Sequence, residues 1–415
     1  MRIFTYLATA LLAVSSAGAQ VAVHSGNLRA LLEEKNSRVQ AAQQNHSAAQ
    51  EREGVLARSF FPRLELHASQ ESFKLGSEDV KHQPAYGAEL NLNLFNGGRD
   101  RLEGRIRNLE SQKRSYQTQQ TLAQELEKAR GIYWNIRYLQ ERQKLLENSV
   151  AINRRNLESA QRRIRSGVAT DSDRFEFEMK EVDLKQEEEE ARLQLRTQTR
   201  ALTLLLGLDG QKALSFSEEF HHDHDYESAL GDFSKVPEFQ YKVSDLQADQ
   251  GQMLAQQLRR SWWPSLDAFA AYNQYNQREE DYASASDRTQ SVIGLRLTLS
   301  LSTGLEHQRE AAAAAKEAAS SRVLAQFQQR EVATDIQGEV EELRLLHDLI
   351  HDAEENITRA ERYYKMTQSE YSRGVKNSPD VLGASEKLFD RQNKRLEIIK
   401  NFQVAKAHIL SKMGQ

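Results

Sequence analysis

The residues Phe60-Phe61-Pro62-Arg63-Leu64 in the first half of the chain have a counterpart in the second half, Trp262-Trp263-Pro264-Ser265-Leu266. A second landmark, Arg165-Ser166-Gly167-Val168, corresponds to Ser372-Arg373-Gly374-Val375. The two landmarks are displaced by about 202 and about 207 residues, which indicates one tandem duplication rather than a short-period repeat. Each half therefore has the same plan: a strand pair, a long helix, a glycine turn and a second helix.

The first residues have the layout of a secretory signal peptide. Arg2 is followed by an apolar run over 3–14 and by the small residues Ala17-Gly18-Ala19, so we expect residues 1–19 to be removed before Gln20. No later stretch approaches the roughly 20 apolar residues of a spanning helix, so the mature chain is either soluble or held in a membrane by strands.

Composition excludes several classes of function. The chain of 415 residues has no cysteine, which excludes disulfides, thiol catalysis and thiolate metal sites. Its net charge of -4 does not indicate a nucleic-acid partner. No nucleophile-base set, phosphate loop or spaced metal triad is present, so we do not expect an enzyme.

Four segments alternate between apolar and polar residues. We predict strands at about 62–74 and 85–95 in the first half and at about 264–277 and 289–301 in the second. Strands of about ten residues with one apolar and one polar face are typical of transmembrane barrels, which present one face to lipid and the other to water. A half-buried soluble sheet would give the same alternation.

Long helices with heptad seams are predicted at 99–165 and 305–372, followed by shorter helices at 171–206 and 379–413. Two further helices are predicted before the strands, at about 26–58 and 238–260. At about 1.5 Å per residue, some 67 residues would extend about 100 Å. The first repeat thus covers 20–206 and the second 237–415, and a polar linker over 207–236 joins them.

Four strands are too few to close a barrel around a pore, since single-chain barrels begin at about eight strands. Self-association is therefore implied. A cyclic homotrimer would supply about twelve strands around one continuous lumen.

The duplicated plan resembles that of the TolC family of outer-membrane efflux channels. The resemblance is carried by the strand ends Leu94-Phe95-Asn96-Gly97-Gly98-Arg99 and Leu299-Ser300-Leu301-Ser302-Thr303-Gly304 and by glycine turns that lead into Asp173 and Asp380. It covers essentially the whole mature chain. It implies a mainly α fold with a small β part, in which a homotrimer forms a twelve-stranded transmembrane β-barrel, four strands per chain, and an α-helical periplasmic tunnel.

The resemblance also implies a function. The chain would be an outer-membrane channel with a long periplasmic extension, a passive export conduit of a tripartite efflux or type I secretion system. Its partners would be outer-membrane lipid, a periplasmic adaptor (membrane fusion) protein and an inner-membrane pump, with no cofactor and no nucleic acid. The alternatives are the outer-membrane component of a heavy-metal cation exporter and, less favoured by the duplication, a periplasmic coiled-coil adaptor.

The periplasmic tip is where the resemblance places a gate. In the family's best-known member, a Tyr and an Arg near the second turn link to a Thr-Asp pair near the first. By motif, Tyr371 and Lys376 match the first pair, and Ser172 and Asp173 match the second, with Gly167 and Gly374 as the tip turns. Lysine in place of arginine would weaken any bidentate contact.

A ring of acidic residues at the entrance is also implied. Asp380 matches one acidic position, whereas Gly383 stands where a second Asp would be expected. Three copies of Asp380 around a narrow pore would favour cations. Capping explains the same acidic residues without a gate, because Asp171, Ser172, Asp173 and the run Ser378-Pro379-Asp380 suit the first turns of helices.

One histidine-rich run lies in the linker, His221-His222-Asp223-His224-Asp225. Imidazole and carboxylate groups could bind Zn or Cu. Adjacent ligands on a flexible linker seldom form a closed site, so a solvated linker is favoured. His221, His222 and His224 are therefore only weak candidates, and we predict no metal centre.

Overall fold

The computed structural model describes residues 21–54, 61–73, 81–209, 213–222, 225–230, 235–275, 288–299 and 303–415. The predicted signal peptide, Phe60, Asp223 and His224 lie outside the described residues. The chain divides into two compact units. Unit 1 comprises the residues up to Gln40, Thr121–Val236 and Ala333–Gln415, and unit 2 comprises Ala41–Gln120 and Pro237–Val332.

The helices and strands of the described residues follow one another in this order: β1 (Val21–Val23), α1 (Leu28–Lys35), α2 (Ser37–Glu53), β2 (Arg63–Phe73), β3 (Lys81–Asn96), α3 (Arg99–Arg165), α4 (Asp171–Leu205), β4 (Leu214–Phe216), α5 (Tyr226–Leu230), α6 (Glu238–Arg259), β5 (Ser265–Tyr275), β6 (Arg288–Thr298), α7 (Thr303–Ser372) and α8 (Ser378–Lys412). The predicted fold class, mainly α with a small β part, is confirmed. None of the described helices has the length and apolar character needed to cross a membrane.

Unit 2 contains a four-stranded antiparallel sheet in the order β2-β3-β5-β6. The register places Leu64, Leu90, Ala270 and Ile293 in one row across all four strands. Because residues directly opposite one another point to the same side of a sheet, the alternation in the sequence produces one apolar face. In the single chain this face is exposed, with Ile293 at 87%.

The opposite face of the sheet is polar. The register pairs Glu65 with Glu89 on this face, and the Arg296 guanidinium lies 4.0 Å from the Glu89 carboxylate. The guanidinium carbon of Arg296 also lies 4.5 Å from the ring centroid of Phe269. Charged groups are thus held on the side of the sheet away from its apolar surface.

The helical part of unit 2 packs through small residues. Ala311, Ala314 and Ala318 of α7 are buried. A Cβ atom added to Gly251 of α6 would come within 2.9 Å of the Ala318 Cβ, so glycine is required for this close approach. The alanine-rich run therefore permits close helix packing, as its composition suggests.

Unit 1 is built on the heptad seam of α3. Leu126, Ala129, Tyr133, Ile136 and Leu146 are buried, as the three-four spacing predicts. Near the turns a second cluster forms from all four long helices of the unit, and it contains Ala160, Phe177, Tyr364, Tyr371, Val381, Ala384 and Leu388. The core of unit 1 thus runs along the helices to the turns.

The first helix differs from the pattern-based expectation. One helix was expected over about 26–58, but it is interrupted at Asn36 between α1 and α2. The Asn36 side chain accepts hydrogen bonds from the Val39 and Arg38 amides at 3.0 and 2.9 Å, so it caps α2. Its amide nitrogen donates to the Leu205 carbonyl at 2.7 Å, and Gly207, with a φ of 63°, packs on the Lys35 carbonyl.

The linker over 207–236 contains structure that the sequence did not indicate. Its strand β4 pairs in parallel with β1, placing Val23 opposite Phe216. Tyr133 of α3 donates a hydrogen bond from its hydroxyl to Glu218 at 2.7 Å. Burial and this bond raise the pKa of the Tyr133 hydroxyl well above its usual range. The linker is therefore packed on unit 1.

Candidate functional site

The turns between α3 and α4 and between α7 and α8 have the same backbone conformation. Gly167 and Gly374 adopt left-handed φ angles of 75° and 83°. In each turn the amide of the following valine, Val168 or Val375, donates at 2.9 Å to a carbonyl five residues earlier. This six-to-one hydrogen bond is the Schellman motif, which ends a helix at a left-handed residue and favours glycine there.

The helices that follow the turns begin with the same cap. The Asp173 carboxylate accepts a hydrogen bond from the Thr170 amide at 3.0 Å, and Asp380 accepts one from the Asn377 amide at 3.2 Å. Thr170 and Asn377 are thus the N-caps, each with an acidic residue at the third helical position. Asp171, Ser172 and Asp173 lie in the first turn of α4, as expected, whereas Ser378, a candidate N-cap of the second helix, is the first helical residue of α8.

Asp173 also connects the two turns. Its second carboxylate oxygen accepts hydrogen bonds from the Ser378 hydroxyl and, at 3.4 Å, from the Ser378 amide. Ser378 is 1% exposed, and its hydroxyl lies 2.8 Å from the Glu176 carboxylate. Partial burial acts to raise the pKa of Asp173, but the hydrogen bonds from Ser378 and Thr170 outweigh it, so the pKa is lowered. The Asp173 carboxylate therefore holds the start of α4, just after the first turn, to the start of α8.

Tyr371 lies behind this contact, in the apolar cluster near the turns. It is 1% exposed, and its ring meets Phe177 edge-on at a centroid distance of 6.2 Å. The guanidinium carbon of Arg163 lies 4.1 Å from the Tyr371 ring centroid, within cation–π range. Burial raises the pKa of the Tyr371 hydroxyl, which has no hydrogen-bond partner of good geometry among the described residues. Tyr371 is thus fixed chiefly by packing.

The remaining predicted residues lie nearer to solvent. Lys376 pairs with Asp380 at 3.6 Å, with both side chains about two-fifths exposed. Ser172 is exposed on the first turn of α4. Among the described residues, no hydrogen bond or ion pair joins Tyr371 or Lys376 to Ser172 or Asp173. The gate roles of these residues stay a prediction.

Sequence reasoning missed three participants at the turns. Glu176 shares the Ser378 hydroxyl with Asp173, and Arg163 covers the Tyr371 ring. Ser378 was noted only as a possible cap. No local pattern indicates these contacts, because each joins helices from different halves of the chain.

The histidine run packs on unit 1. The His221 carbonyl accepts a hydrogen bond from Gln403 at 2.7 Å, and the His222 ring lies 5.6 Å from the His347 ring and 6.3 Å from the Phe402 ring, centroid to centroid. The expectation of a solvated linker is therefore wrong for His222, which is half-buried. Within the described ranges, no group of three or more His, Asp or Glu side chains could hold a metal ion.

Comparisons with known proteins place the chain in a family. The profile of the family described as Outer membrane efflux protein matches residues 28–208 and 240–415. No curated protein gives a significant match.

Solved structures share the fold at low sequence identity. The Campylobacter jejuni CmeC outer membrane channel is 14% identical, with a TM-score of 0.79 over 94% of this chain and 85% of that chain. The outer membrane protein VceC from Vibrio cholerae is 14% identical, with a TM-score of 0.76 over 94% of this chain and 96% of that one. CusC is 12% identical, with a TM-score of 0.77 over 94% and 91%.

The family match covers both repeats and leaves out only residues 1–27 and 209–239. Members of this family are passive channels of the outer membrane and not enzymes. The duplicated strand-and-helix plan, the four-stranded sheet with an exposed apolar face and the family match together show that the chain belongs to the outer membrane efflux protein family.

Proposed function

We propose that the chain is the channel-tunnel of a tripartite efflux or type I secretion system and works as a homotrimer. Such a channel is a passive conduit for export through the outer membrane. The observation that carries this proposal is the sheet of unit 2, which has an exposed apolar face, a charged opposite face and two edges that pair with no other strand of the described ranges.

The apolar face supports a lipid contact. Leu66, Ile293, Leu295 and Leu297 are each more than two-thirds exposed in the single chain. Burying apolar surface is worth about 25 cal/mol per Å², so a face of this kind is costly to leave in water. The polar face, with Glu65, Glu89 and Arg296, suits a water-filled lumen.

The edges of the sheet support self-association. Among the described strands, β2 and β6 are the outer ones of this sheet, and each pairs there with one neighbour. An exposed strand edge is a template for pairing with another chain, and its amides and carbonyls have no water to bind in lipid. Pairing β6 of one copy with β2 of the next would satisfy both edges, and three copies would close the ring.

The turns of unit 1 support a role as the periplasmic entrance. In a trimer the three copies of Asp173 and Asp380 would form acidic rings that favour cations. Lys376, at 3.6 Å from Asp380, would offset part of that charge, so a modest cation preference follows. An adaptor protein and an inner-membrane pump would deliver the substrate and supply the energy for export, since a passive channel does neither.

The proposal is tested by single-channel recording. The mature protein would be extracted from the outer-membrane fraction in detergent, its oligomer mass measured, and its conductance recorded in a planar bilayer. We expect a trimer with discrete, cation-favouring steps, and we expect Asp380→Asn to lower the cation preference while Ser172→Ala leaves it unchanged. A monomer without conductance would overturn the proposal.

A further inference from the structure

A cavity of about 150 Å³ lies between α3, α4 and α8 in unit 1. Its apolar wall is formed by Ile152, Leu184, Leu388 and Phe389, of which Leu184 and Leu388 are buried. An apolar cavity of about this volume can hold a molecule the size of benzene. The space is therefore suited to one small ring or to a short alkyl chain.

One buried hydrogen-bond acceptor of the lining lacks a donor. Asn153 lines the cavity and is 4% exposed, and its amide nitrogen donates to the Phe177 carbonyl at 2.8 Å. Because only the nitrogen can donate, this bond fixes the orientation of the amide group. The side-chain oxygen has no hydrogen-bond partner among the described residues. A buried acceptor without a donor is unfavourable, so a bound molecule that donates a hydrogen bond would stabilise this site.

The serines of the lining also offer acceptors. The Ser149 hydroxyl donates its hydrogen to the Leu145 carbonyl at 3.0 Å. The Ser385 hydroxyl donates to the Leu382 carbonyl at 2.8 Å. A hydroxyl has one hydrogen, so only the oxygen lone pairs of these serines remain for a ligand, while Gln392 can donate or accept. The lining thus favours a molecule that donates several hydrogen bonds.

The charged side chains of the lining are mostly acidic. Glu187, Glu386 and Asp390 line the cavity with one basic residue, Lys180, which pairs with Glu386 at 2.8 Å. Arg142, which is not part of the lining, lies 3.4 Å from the Glu187 carboxylate. Within the described part of the chain, Asp390 has no basic group at salt-bridge distance. The lining therefore keeps a net negative charge, which attracts cations.

We propose that this cavity binds a small amphipathic amine in its protonated form, an ammonium group joined to one aromatic ring or short alkyl chain. The apolar part would pack on Leu184, Leu388 and Phe389. The ammonium group has donors and no acceptor, so it would bind the acceptors and the carboxylates of the lining. Because α3 and α4 belong to the first repeat and α8 to the second, the ligand would contact both halves of the chain. No step of the proposed channel function uses this site, so each proposal can be tested without the other.

The test compares three probes of similar shape, which are 4-fluorobenzylamine, 4-fluorobenzyl alcohol and 4-fluorobenzoate. At neutral pH they are a cation, a neutral molecule and an anion. Fluorine NMR titration of the full-length protein in a non-ionic detergent, with the signal from empty micelles subtracted, gives each dissociation constant. We expect the amine to bind with a Kd on the order of 1 mM, about fivefold tighter than the alcohol, which is the size that one partly exposed ion pair gives. The benzoate should not bind measurably, because the lining is acidic.

Variants locate the binding. Asp390→Asn with Glu187→Gln should weaken binding of the amine about fivefold and leave binding of the alcohol unchanged, because the cavity keeps its shape. Asp352→Asn with Glu342→Gln is the matched control, because it removes the same two kinds of carboxylate from exposed positions of α7 outside the lining. Ser149→Phe should fill the cavity and abolish binding of both the amine and the alcohol. Helical circular dichroism checks that each variant is folded.

Four results would overturn the inference. These are no measurable binding of the amine, equal binding of the amine and the alcohol, an equal loss in the control variant, and amine binding that persists in folded Ser149→Phe. Conductance of the same preparation separates the two proposals. A conducting trimer that does not bind the amine contradicts only the cavity site, and a preparation that binds the amine without conductance contradicts only the channel.

Discussion

The two turns of unit 1 have one backbone and two sets of side-chain contacts. Both use a left-handed glycine and an acid at the third position of the next helix. Asp173 then reaches across to the buried Ser378, whereas Asp380 pairs with the exposed Lys376. The same offset of about 207 residues sets Ser378 against Asp171, so the second acid has no matching hydroxyl. The two halves thus share the turn, and Asp173 alone of the two acids connects it to the other half.

The largest difference in stability between equivalent substitutions is expected in the apolar cluster near the turns, where helices from the two halves of the chain pack together. Tyr371 is buried, whereas Ile164, at the equivalent position of α3, is only half-buried. Tyr371→Ala should lower the free energy of unfolding by about 3–5 kcal/mol, because it removes a large aromatic side chain from a packed cluster. Ile164→Ala should cost about 1–2 kcal/mol. Thermal unfolding in detergent, followed by helical circular dichroism, measures both.

A control separates the ring from the hydroxyl. Tyr371→Phe should be within about 1 kcal/mol of the unchanged protein, because the buried hydroxyl has no well-formed hydrogen bond to lose. If the phenylalanine variant were as unstable as the alanine variant, packing would not be the main role of Tyr371.

The next largest effect on stability distinguishes Asp173 from Asp380. Asp173→Ala removes the hydrogen bond to the amide of the N-cap Thr170 and the contacts with Ser378, at a cost of about 2–3 kcal/mol. Asp380→Ala removes the hydrogen bond to the amide of the N-cap Asn377 and an exposed ion pair, at a cost of about 1 kcal/mol. Equal losses in the two variants would contradict an anchor role for Asp173 alone.

The pH dependence of stability tests the role of Asp173 separately. The pKa of Asp173 is lowered in the folded state, so its contribution is present at neutral pH and is lost as the pH falls through that lowered pKa, below about 4. The unchanged protein should therefore lose stability on acidification more steeply than Asp173→Asn. Parallel acid curves for the two proteins would show that Asp173 does not carry this dependence.

The glycines should behave alike. Gly167→Ala and Gly374→Ala each force a side chain into the left-handed region, at about 1 kcal/mol. A Cβ at Gly374 would meet Val168 only at an ordinary 3.8 Å, and one at Gly167 meets no described atom within 4 Å. The two losses should therefore agree within error, and a clear difference would reveal a contact made only in the assembled protein.

The smallest effect is expected at Lys376. Lys376→Gln removes an exposed ion pair, so stability should change by less than about 0.5 kcal/mol. The ion selectivity should change more than the stability, because the partner charge of Asp380 is then unscreened. An increase in cation preference in a planar bilayer is the expected result, and a decrease would contradict the charge offset.

Much of the fold could be predicted from local periodicity. The alternation along β2, β3, β5 and β6 placed the apolar residues on one face, and the three-four spacing placed Leu126, Ala129 and Tyr133 in the core. Periodicity reports burial because each backbone geometry repeats its side-chain directions at a fixed interval. The break at Asn36 and the β1–β4 pair escaped it, because the Asn36 amide nitrogen bonds the distant Leu205 carbonyl and a three-residue strand forms only with its partner strand.

At the turns, the glycines, the acidic first helical turns and the duplication that relates them can all be read from the sequence. The contact of Asp173 with Ser378, 205 residues away, and the position of Arg163 over Tyr371 follow only from the packing of the helices. The two kinds of feature differ in the distance over which they are set. Turn and cap preferences are set within a few residues of the backbone, whereas a side-chain contact between helices depends on how their packed faces are rotated, which the buried core sets for all of them together.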